Sequence, residues 1–289
     1  MNLNRRHFMG LVAAGMAMPA WAGVGNCQFG VVASAAEFAD AVKYGFDYHE
    51  PSVCEVANMS DEAFTRFRDE VLASPIRCKS LNFFTSPPAY LSKLPIQYVV
   101  GEHVSMDGLK EYVTRSMDRC KQLGAECVVW GSSDSRRVPE GFSRDRAWNQ
   151  IRDFLRMSDP IARSNGIVIG IEPIRAQSGN ILTTGAETMK MVHYVDRPNI
   201  KMIIDYYQMT SMHESPDIIL TAGKDIVHFH FARMDPHGWP TLQDNDPGYA
   251  PFFANIKKIG YSGGISIEAP GSYAKDAAPS LAFFREELA

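Results

Sequence analysis

The sequence predicts an α/β fold, a single-domain (β/α)8 TIM barrel, from two observations. Eight short apolar segments alternate with longer segments that carry helix-capping residues at their ends. Strict alternation of strand and helix indicates a parallel sheet, and eight such units fit one domain of 289 residues. A doubly wound sheet is the alternative, but no glycine-rich nucleotide-binding motif follows the first predicted strand.

The predicted strands share short length and bulky apolar residues, and turn or loop residues bound them. In chain order they are residues 28–33, 46–50, 78–84, 126–132, 166–173, 200–207, 226–232 and 264–270. Ser34 is typical of a helix N-cap after the first strand, and Gly45 is typical of the end of that helix. The long helix before the fifth strand is expected to kink or divide at Pro160.

Composition excludes several classes of partner. The net charge of -4 and pI near 6.1 give no general attraction to phosphate backbones, so we expect no nucleic-acid partner. No segment reaches about 18 uninterrupted apolar residues, so we expect no stable membrane insertion. The five cysteines are scattered without a C-x-x-C pair, which is typical neither of a zinc-thiolate site nor of a disulfide framework.

Residues 1–22 resemble a twin-arginine export signal. Arg5 and Arg6 precede Phe8 and a modest apolar stretch, which ends in a small-x-small site from Ala20 to Ala22. The sequence therefore predicts a barrel domain over residues 27–289, the twin-arginine export machinery as a partner, and a soluble periplasmic protein. The alternative is a cytosolic protein with a fortuitous basic tail.

The seventh predicted strand, IVHFHFA, carries two histidines two residues apart. Residues i and i+2 of a strand share a face, so His228 and His230 should point one way. Val227, Phe229 and Phe231 should point the other way. Taken alone, the segment is also compatible with a half-buried strand that exposes its histidines to water.

The neighbouring strands extend this pattern, because each of the last four carries one ionisable residue near its C-terminal end. These residues are Glu172, Asp205, His230 and Glu268. The carboxyl ends of barrel strands form the rim that holds the chemistry in barrel enzymes, so the four side chains should converge. Three carboxylates buried together repel one another and require a cation.

The chemistry of this set indicates one divalent metal ion. Oxygen ligands in the majority with one imidazole favour Mn²⁺, Mg²⁺ or Co²⁺, and Zn²⁺ is also compatible. His228 lies one step deeper in its strand and is expected to pack behind the site rather than bind the metal.

The same strand ends resemble the xylose-isomerase-like sugar isomerase/epimerase family, which includes ketose 3-epimerases and hydroxypyruvate isomerases. The motifs are IEP at Glu172, IIDYYQM at Asp205, HFHFARMD at His230 and ISIEAP at Glu268, and residues 128–142 and 249–268 are similar to family segments too. The resemblance implies a small carbohydrate substrate whose carbonyl and neighbouring hydroxyl chelate the metal. It also implies that Glu172 and Glu268 form the acid/base pair, with Asp205 and His230 as ligands only.

These roles agree with the chemistry of epimerisation. Removal of a proton beside a carbonyl produces an enediolate, and a cation on its oxygen stabilises the developing charge. Two carboxylates on opposite sides of the carbon allow removal from one face and return on the other.

The chain departs from the family at three substrate-contacting positions. Gln208 stands where ketose epimerases have a histidine, Ser178 where they have a glutamate, and Pro236 where they have an arginine. Two alternatives therefore stay open. One is a lyase that eliminates a β-substituent from keto-sugars, 3-keto-glycosides or cyclitols, and the other is a non-catalytic metal- and sugar-binding protein.

Six residues in or just after the C-terminal parts of predicted strands are candidates to contact the substrate. They are Gln208, Arg175, Arg233, Asn82, Glu50 and Trp130. The sequence leaves the oligomeric state open, and a homo-oligomer is compatible with it.

Overall fold

The computed structural model describes residues 27–289, and its centre is an eight-stranded parallel sheet. The strands are β1 (Gln28–Val32), β2 (Tyr48–Glu50), β3 (Ser80–Leu81), β4 (Cys127–Trp130), β5 (Val168–Ile171), β6 (Ile200–Asp205), β7 (Ile226–Phe231) and β8 (Gly264–Ile267). Their order in the sheet is β2-β1-β8-β7-β6-β5-β4-β3. The predicted eight strands and the (β/α)8 barrel are confirmed.

The two ends of the sheet meet at single bridges and nearly close the barrel. Tyr48 pairs with Arg77, and Ser52 pairs with Asn82. The third strand is shorter than predicted, because Phe83 adopts a left-handed φ of 54° and donates its N–H to the Asn82 side chain. This turn ends regular pairing at Leu81, so β2 and β3 contact each other through few residues.

Eleven α-helices accompany the strands in the described part of the chain. They are α1 (Phe38–Lys43), α2 (Val53–Asn58), α3 (Asp61–Ala73), α4 (Met106–Gln122), α5 (Ser133–Arg136), α6 (Arg144–Ser164), α7 (Gly185–Val195), α8 (Tyr206–Ser211), α9 (Asp217–Ala222), α10 (Tyr249–Lys258) and α11 (Tyr273–Glu287). Side-chain caps begin several of them; for example, Ser60 accepts a hydrogen bond from Ala63 N. Pro160 lies inside the single helix α6, so of the two expected effects, a kink or a division of the helix, division is wrong.

The alternation along the strands separates the barrel interior from the outer helices. Ile169, Ile171 and Phe229 pack into the large core beneath the helices, whereas Cys127 and Ile203 form a small cluster of their own. Four of the five free cysteines are buried, and Cys27 is partly exposed.

One strand departs from its predicted alternation. In the pairing of β6 with β7, Met202 lies opposite Ile226 and the next residue, Ile203, lies opposite His228. The register therefore shifts by one residue at Val227. Its side chain packs against the Cys127 and Ile203 cluster rather than with Phe229. The prediction that Val227 shares the outer face is therefore wrong, because a bulge interrupts the period of two.

The predicted export signal at residues 1–22 lies outside the described residues. Within residues 27–289, no helix combines the length and apolar character that a membrane crossing requires.

Candidate active site

Four residues predicted to meet on the rim do converge. Glu172 follows β5, Asp205 ends β6, His230 lies in β7 and Glu268 follows β8. One ligand atom from each lies within 4.8 Å of the others. His230 Nδ1 is 2.9 Å from Glu268 Oε2 and 3.3 Å from Glu172 Oε1.

The cluster is buried, and burial changes its protonation. Desolvation and the nearby Glu268 carboxylate raise the pKa of Glu172 to about 8 and that of Asp205 to about 6. Desolvation would lower the pKa of His230, but the carboxylates around it raise that pKa well above its usual range. Without a cation, the cluster therefore holds protons between its carboxylates and its imidazole.

The donor set fits a divalent metal. Three carboxylates and one imidazole offer hard oxygen ligands and a nitrogen ligand directed at one point. His230 Nε2 is already hydrogen-bonded to Glu50, so Nδ1 is the nitrogen that faces Glu172 and Glu268. The four residues thus form a candidate site for one divalent ion, and the identity of the ion is left open by the ligands.

Glu50 lies beneath this cluster rather than on the rim. Its side chain is fully buried, and its oxygens accept hydrogen bonds from His230 Nε2 at 3.0 Å, His228 Nε2 at 3.0 Å and Ser266 Oγ. Burial alone would raise the pKa of Glu50, but its contacts with His228 and His230 outweigh burial and hold that pKa well below its usual range. The prediction of a substrate contact at Glu50 is not met in this structure, because His230 covers the carboxylate.

Asn82 contacts a site residue directly. Its Nδ2 donates a hydrogen bond of 2.7 Å to Glu268 Oε1, while its Oδ1 accepts the Phe83 N–H at 2.6 Å. The second bond fixes the orientation of the amide, so the amino group must face Glu268. Asn82 is 1% exposed and therefore positions Glu268 from the side of β3.

Gln208 and Arg175 lie together at the rim. Asp205 Oδ1 accepts the backbone N–H of Gln208 at 2.7 Å and so caps α8, and Gln208 Oε1 accepts the backbone N–H of Arg175 at 3.1 Å. The Arg175 guanidinium lies 4.6 Å from the centre of the Tyr207 ring, which stacks on His237 at 4.1 Å. Arg175 Nε is buried without a hydrogen-bond partner among the described residues.

Two other candidates lie away from the cluster. Trp130 is fully buried, packs against Phe154 and donates its indole N–H to Thr85 Oγ1, so no face of its ring is open to a sugar. Its side chain points from β4 towards the outer helices and packs into the core beneath them. Arg233 pairs with Asp244 at 3.2 Å and therefore braces the loop that follows β7.

Three residues beside the cluster were not predicted from the sequence. Tyr207 and His237 form the stacked pair below Arg175. A Cβ atom at Gly131 would lie only 1.8 Å from Glu172 Oε2, so a side chain at this position would collide with the candidate acid/base residue. A glycine directly after a strand is a signal of such a close approach.

Comparison with known protein families shows which family this chain belongs to. The family described as xylose isomerase-like TIM barrel matches residues 38–287. The chain belongs to this family. The resemblance seen in the sequence motifs is thereby confirmed.

Two relatives of this xylose isomerase-like barrel are named sugar epimerases. The L-ribulose 3-epimerase of Methylomonas sp. is 29% identical over 134 residues, which are 46% of this chain and 46% of that protein. The 3-dehydro-D-guloside 4-epimerase of Escherichia coli is 26% identical over 204 residues, 64% of this chain and 72% of that protein. The first alignment thus spans about half of its relative.

Solved structures share the xylose isomerase-like fold over nearly the whole described chain. The D-allulose 3-epimerase from Methylomonas sp., in complex with D-allulose, aligns with a TM-score of 0.76 and 20% identity over 91% of this chain and 98% of that one. The IolI protein, solved with a bound zinc atom, aligns with a TM-score of 0.65 and 17% identity over 90% and 96%. At these identities the likeness shows the fold.

Proposed function

We propose that this protein is a divalent-metal-dependent carbohydrate isomerase or epimerase. The observation that carries the proposal is the convergence of Glu172, Asp205, His230 and Glu268 on one point. The two named relatives support the class, since both are named sugar epimerases. The substrate class that we propose is a ketose or a keto-glycoside.

In this proposal Glu172, Asp205, His230 and Glu268 would hold the ion. When bound, a divalent ion would polarise the substrate carbonyl and stabilise the negative charge that develops on its oxygen. The side chains of the protein carry out the remaining steps, which are ligand binding and proton transfer. Asp205 and His230 would act as ligands only, and the two glutamates would move the proton.

The two glutamates differ in environment and come from strands that are separated by two others. Glu172 is 2% exposed and Glu268, with 23% of its side chain exposed, accepts the Asn82 amide. One carboxylate takes the proton from the carbon beside the carbonyl as the C–H bond breaks. The other returns a proton to the opposite face, so the product differs from the substrate in configuration at that carbon.

Substrate contacts in this proposal come from the rim above the ligands. Gln208 and Arg175 offer hydrogen-bond donors there, and Tyr207 offers an aromatic ring. Because Gln208 replaces the histidine of ketose epimerases, the hydroxyl pattern that this site accepts should differ from theirs.

We also propose that the protein is exported through the twin-arginine pathway and works in the periplasm. The support is the sequence of residues 1–22, with Arg5 and Arg6 before an apolar stretch. Fractionation of cells that express the full chain tests this, and replacing both arginines by lysine should retain the protein in the cytoplasm.

Proton exchange with solvent tests the proposed reaction. The purified protein would be incubated in heavy water with Mn²⁺ and D-fructose, D-allulose, L-ribulose or a 3-keto-glucoside. We expect one carbon-bound deuterium beside the carbonyl and an epimeric product from at least one of these sugars. Glu268→Gln should abolish exchange, and Asp159→Asn, which alters a buried carboxylate on α6, should retain it.

The same experiment separates the alternatives. Release of the aglycone from the 3-keto-glucoside would identify a lyase, because elimination expels the β-substituent. Metal and sugar binding without any deuterium incorporation would identify a non-catalytic binding protein.

A further inference from the structure

A buried carboxylate, that of Glu50, lies behind the candidate site and comes from a strand that supplies no ligand to it. Glu50 ends β2, on the far side of the barrel from β6, and its side chain is completely buried. It reaches across the barrel to His230 and His228 on β7 and to Ser266 on β8. Because Glu50 is completely buried among these side chains, its influence on the candidate site acts through them.

The Glu50 carboxylate contacts three polar groups through its two oxygens. His230 Nε2 approaches Oε1 at 3.0 Å, whereas His228 Nε2 and the Ser266 hydroxyl approach Oε2. A carboxylate oxygen is a hydrogen-bond acceptor, so the contact with Glu50 favours the tautomer of His230 that carries its proton on Nε2. Nδ1 then faces the carboxylates of Glu172 and Glu268.

Tyr48 supports the Ser266 hydroxyl that contacts Glu50. Tyr48 OH lies 2.7 Å from Ser266 Oγ, and the Tyr48 ring occupies the space that a side chain at Gly30 would fill. A Cβ atom at Gly264 would lie 2.7 Å from Tyr48 OH. Glycines on the neighbouring strands β1 and β8 thus make room for this tyrosine.

We propose that Glu50 is a positioning residue that holds His230 with Nε2 protonated and Nδ1 directed into the metal site. This role rests on the proposed function in one respect, namely that Nδ1 binds a cation. A carboxylate bonded to a metal-ligating histidine orients its ring and increases its strength as a ligand. His228 and Ser266 contact the other oxygen of the Glu50 carboxylate and hold it in place.

Glu50→Gln tests the role because a side-chain amide has only one acceptor oxygen. It cannot accept from His230 and from the His228–Ser266 pair at the same time, yet its size is unchanged. Asp159→Asn is the matched control, since Asp159 is also a buried carboxylate and its Oδ1 accepts the Asn199 N–H at 3.1 Å instead of contacting the candidate site.

The first readout is independent of metal and of activity. In protein labelled with ¹⁵N-histidine, we expect a slowly exchanging Nε2–H resonance from His230, both without metal and with Mg²⁺. Glu50→Gln should lose this protection, and Asp159→Asn should keep it. A wild-type His230 that carries its proton on Nδ1 alone in the Mg²⁺-loaded protein would overturn the proposal, even if Glu50→Gln failed to fold.

The second readout is the affinity for Mn²⁺ measured by calorimetry. We expect Glu50→Gln to weaken binding by about 10- to 100-fold, with the control unchanged. Wild-type binding with an unchanged affinity in Glu50→Gln would refute the positioning role while leaving the proposed function intact. A protected Nε2–H in a wild-type protein that binds no metal would support the hydrogen-bonded positioning and refute the metal-dependent function.

Discussion

Gly131 directly follows β4, and its missing side chain makes room for Glu172. A Cβ atom at this position would lie 1.8 Å from Glu172 Oε2 and 3.0 Å from Glu172 Cδ. Gly131→Ala should therefore displace the Glu172 carboxylate by more than about 1 Å to restore normal contact distances. The displaced atoms end a flexible side chain, so the free energy of unfolding should fall by no more than about 1–3 kcal/mol.

The effect on function should be much larger than the effect on stability. A misplacement of about 1 Å costs about 100-fold in rate, which corresponds to about 2.7 kcal/mol of transition-state stabilisation. Because Glu172 is a proposed ligand as well as a proton carrier, affinity for Mn²⁺ should also fall, by at least about tenfold.

The assay compares Gly131→Ala with Gly179→Ala, in which a Cβ atom meets nothing nearer than 3.5 Å. Thermal unfolding, Mn²⁺ calorimetry and deuterium exchange would be measured on both variants. We expect the control to match the wild type in all three. If Gly131→Ala retained wild-type metal affinity and exchange, Glu172 would not be where the chemistry requires it, and the reasoning would fail.

Three other predictions test neighbouring residues. Asn82→Ala removes the bond to Glu268, so we expect the turnover number to fall by about 10- to 100-fold with KM nearly unchanged; a raised KM alone would indicate a sugar contact instead. Burial and Glu268 raise the pKa of Glu172 to about 8 and that of Asp205 to about 6, above their unfolded values. These two carboxyls should therefore make the metal-free protein less stable as pH rises from about 4 to about 8. Its melting temperature should fall more steeply with pH than that of metal-free Glu172→Gln, and Mn²⁺ should remove this difference; equal slopes in the two metal-free proteins would contradict this. Trp130→Phe should lower unfolding free energy by about 1 kcal/mol through its lost hydrogen bond while KM stays constant, and a changed KM would place Trp130 at the substrate.

The main site was predictable because its members occupy equivalent positions. Glu172, Asp205, His230 and Glu268 each lie at or next to the C-terminal end of a strand, and barrel topology brings such ends together. The alternation of strands and helices likewise specified the barrel.

Other features depended on contacts between distant parts of the chain. Glu50 lies 178 residues before His228, and no local pattern reveals that their side chains meet. The bulge at Val227 arises from the pairing of two strands, which periodicity within one strand cannot show. The position of Trp130, in contrast, does follow a local pattern. Side chains alternate along β4, and Trp130 lies on the opposite face from Cys127 and Val129, towards the helices.

The most direct test of the account is the metal content and Mn²⁺ affinity of the purified protein, measured for the wild type, Glu268→Gln, His230→Ala and Asp159→Asn. The account predicts about one divalent ion per chain in the wild type and the Asp159→Asn control, with binding lost or greatly weakened in the other two. A wild-type protein without metal, or one whose metal content is indifferent to Glu268 and His230, would contradict it.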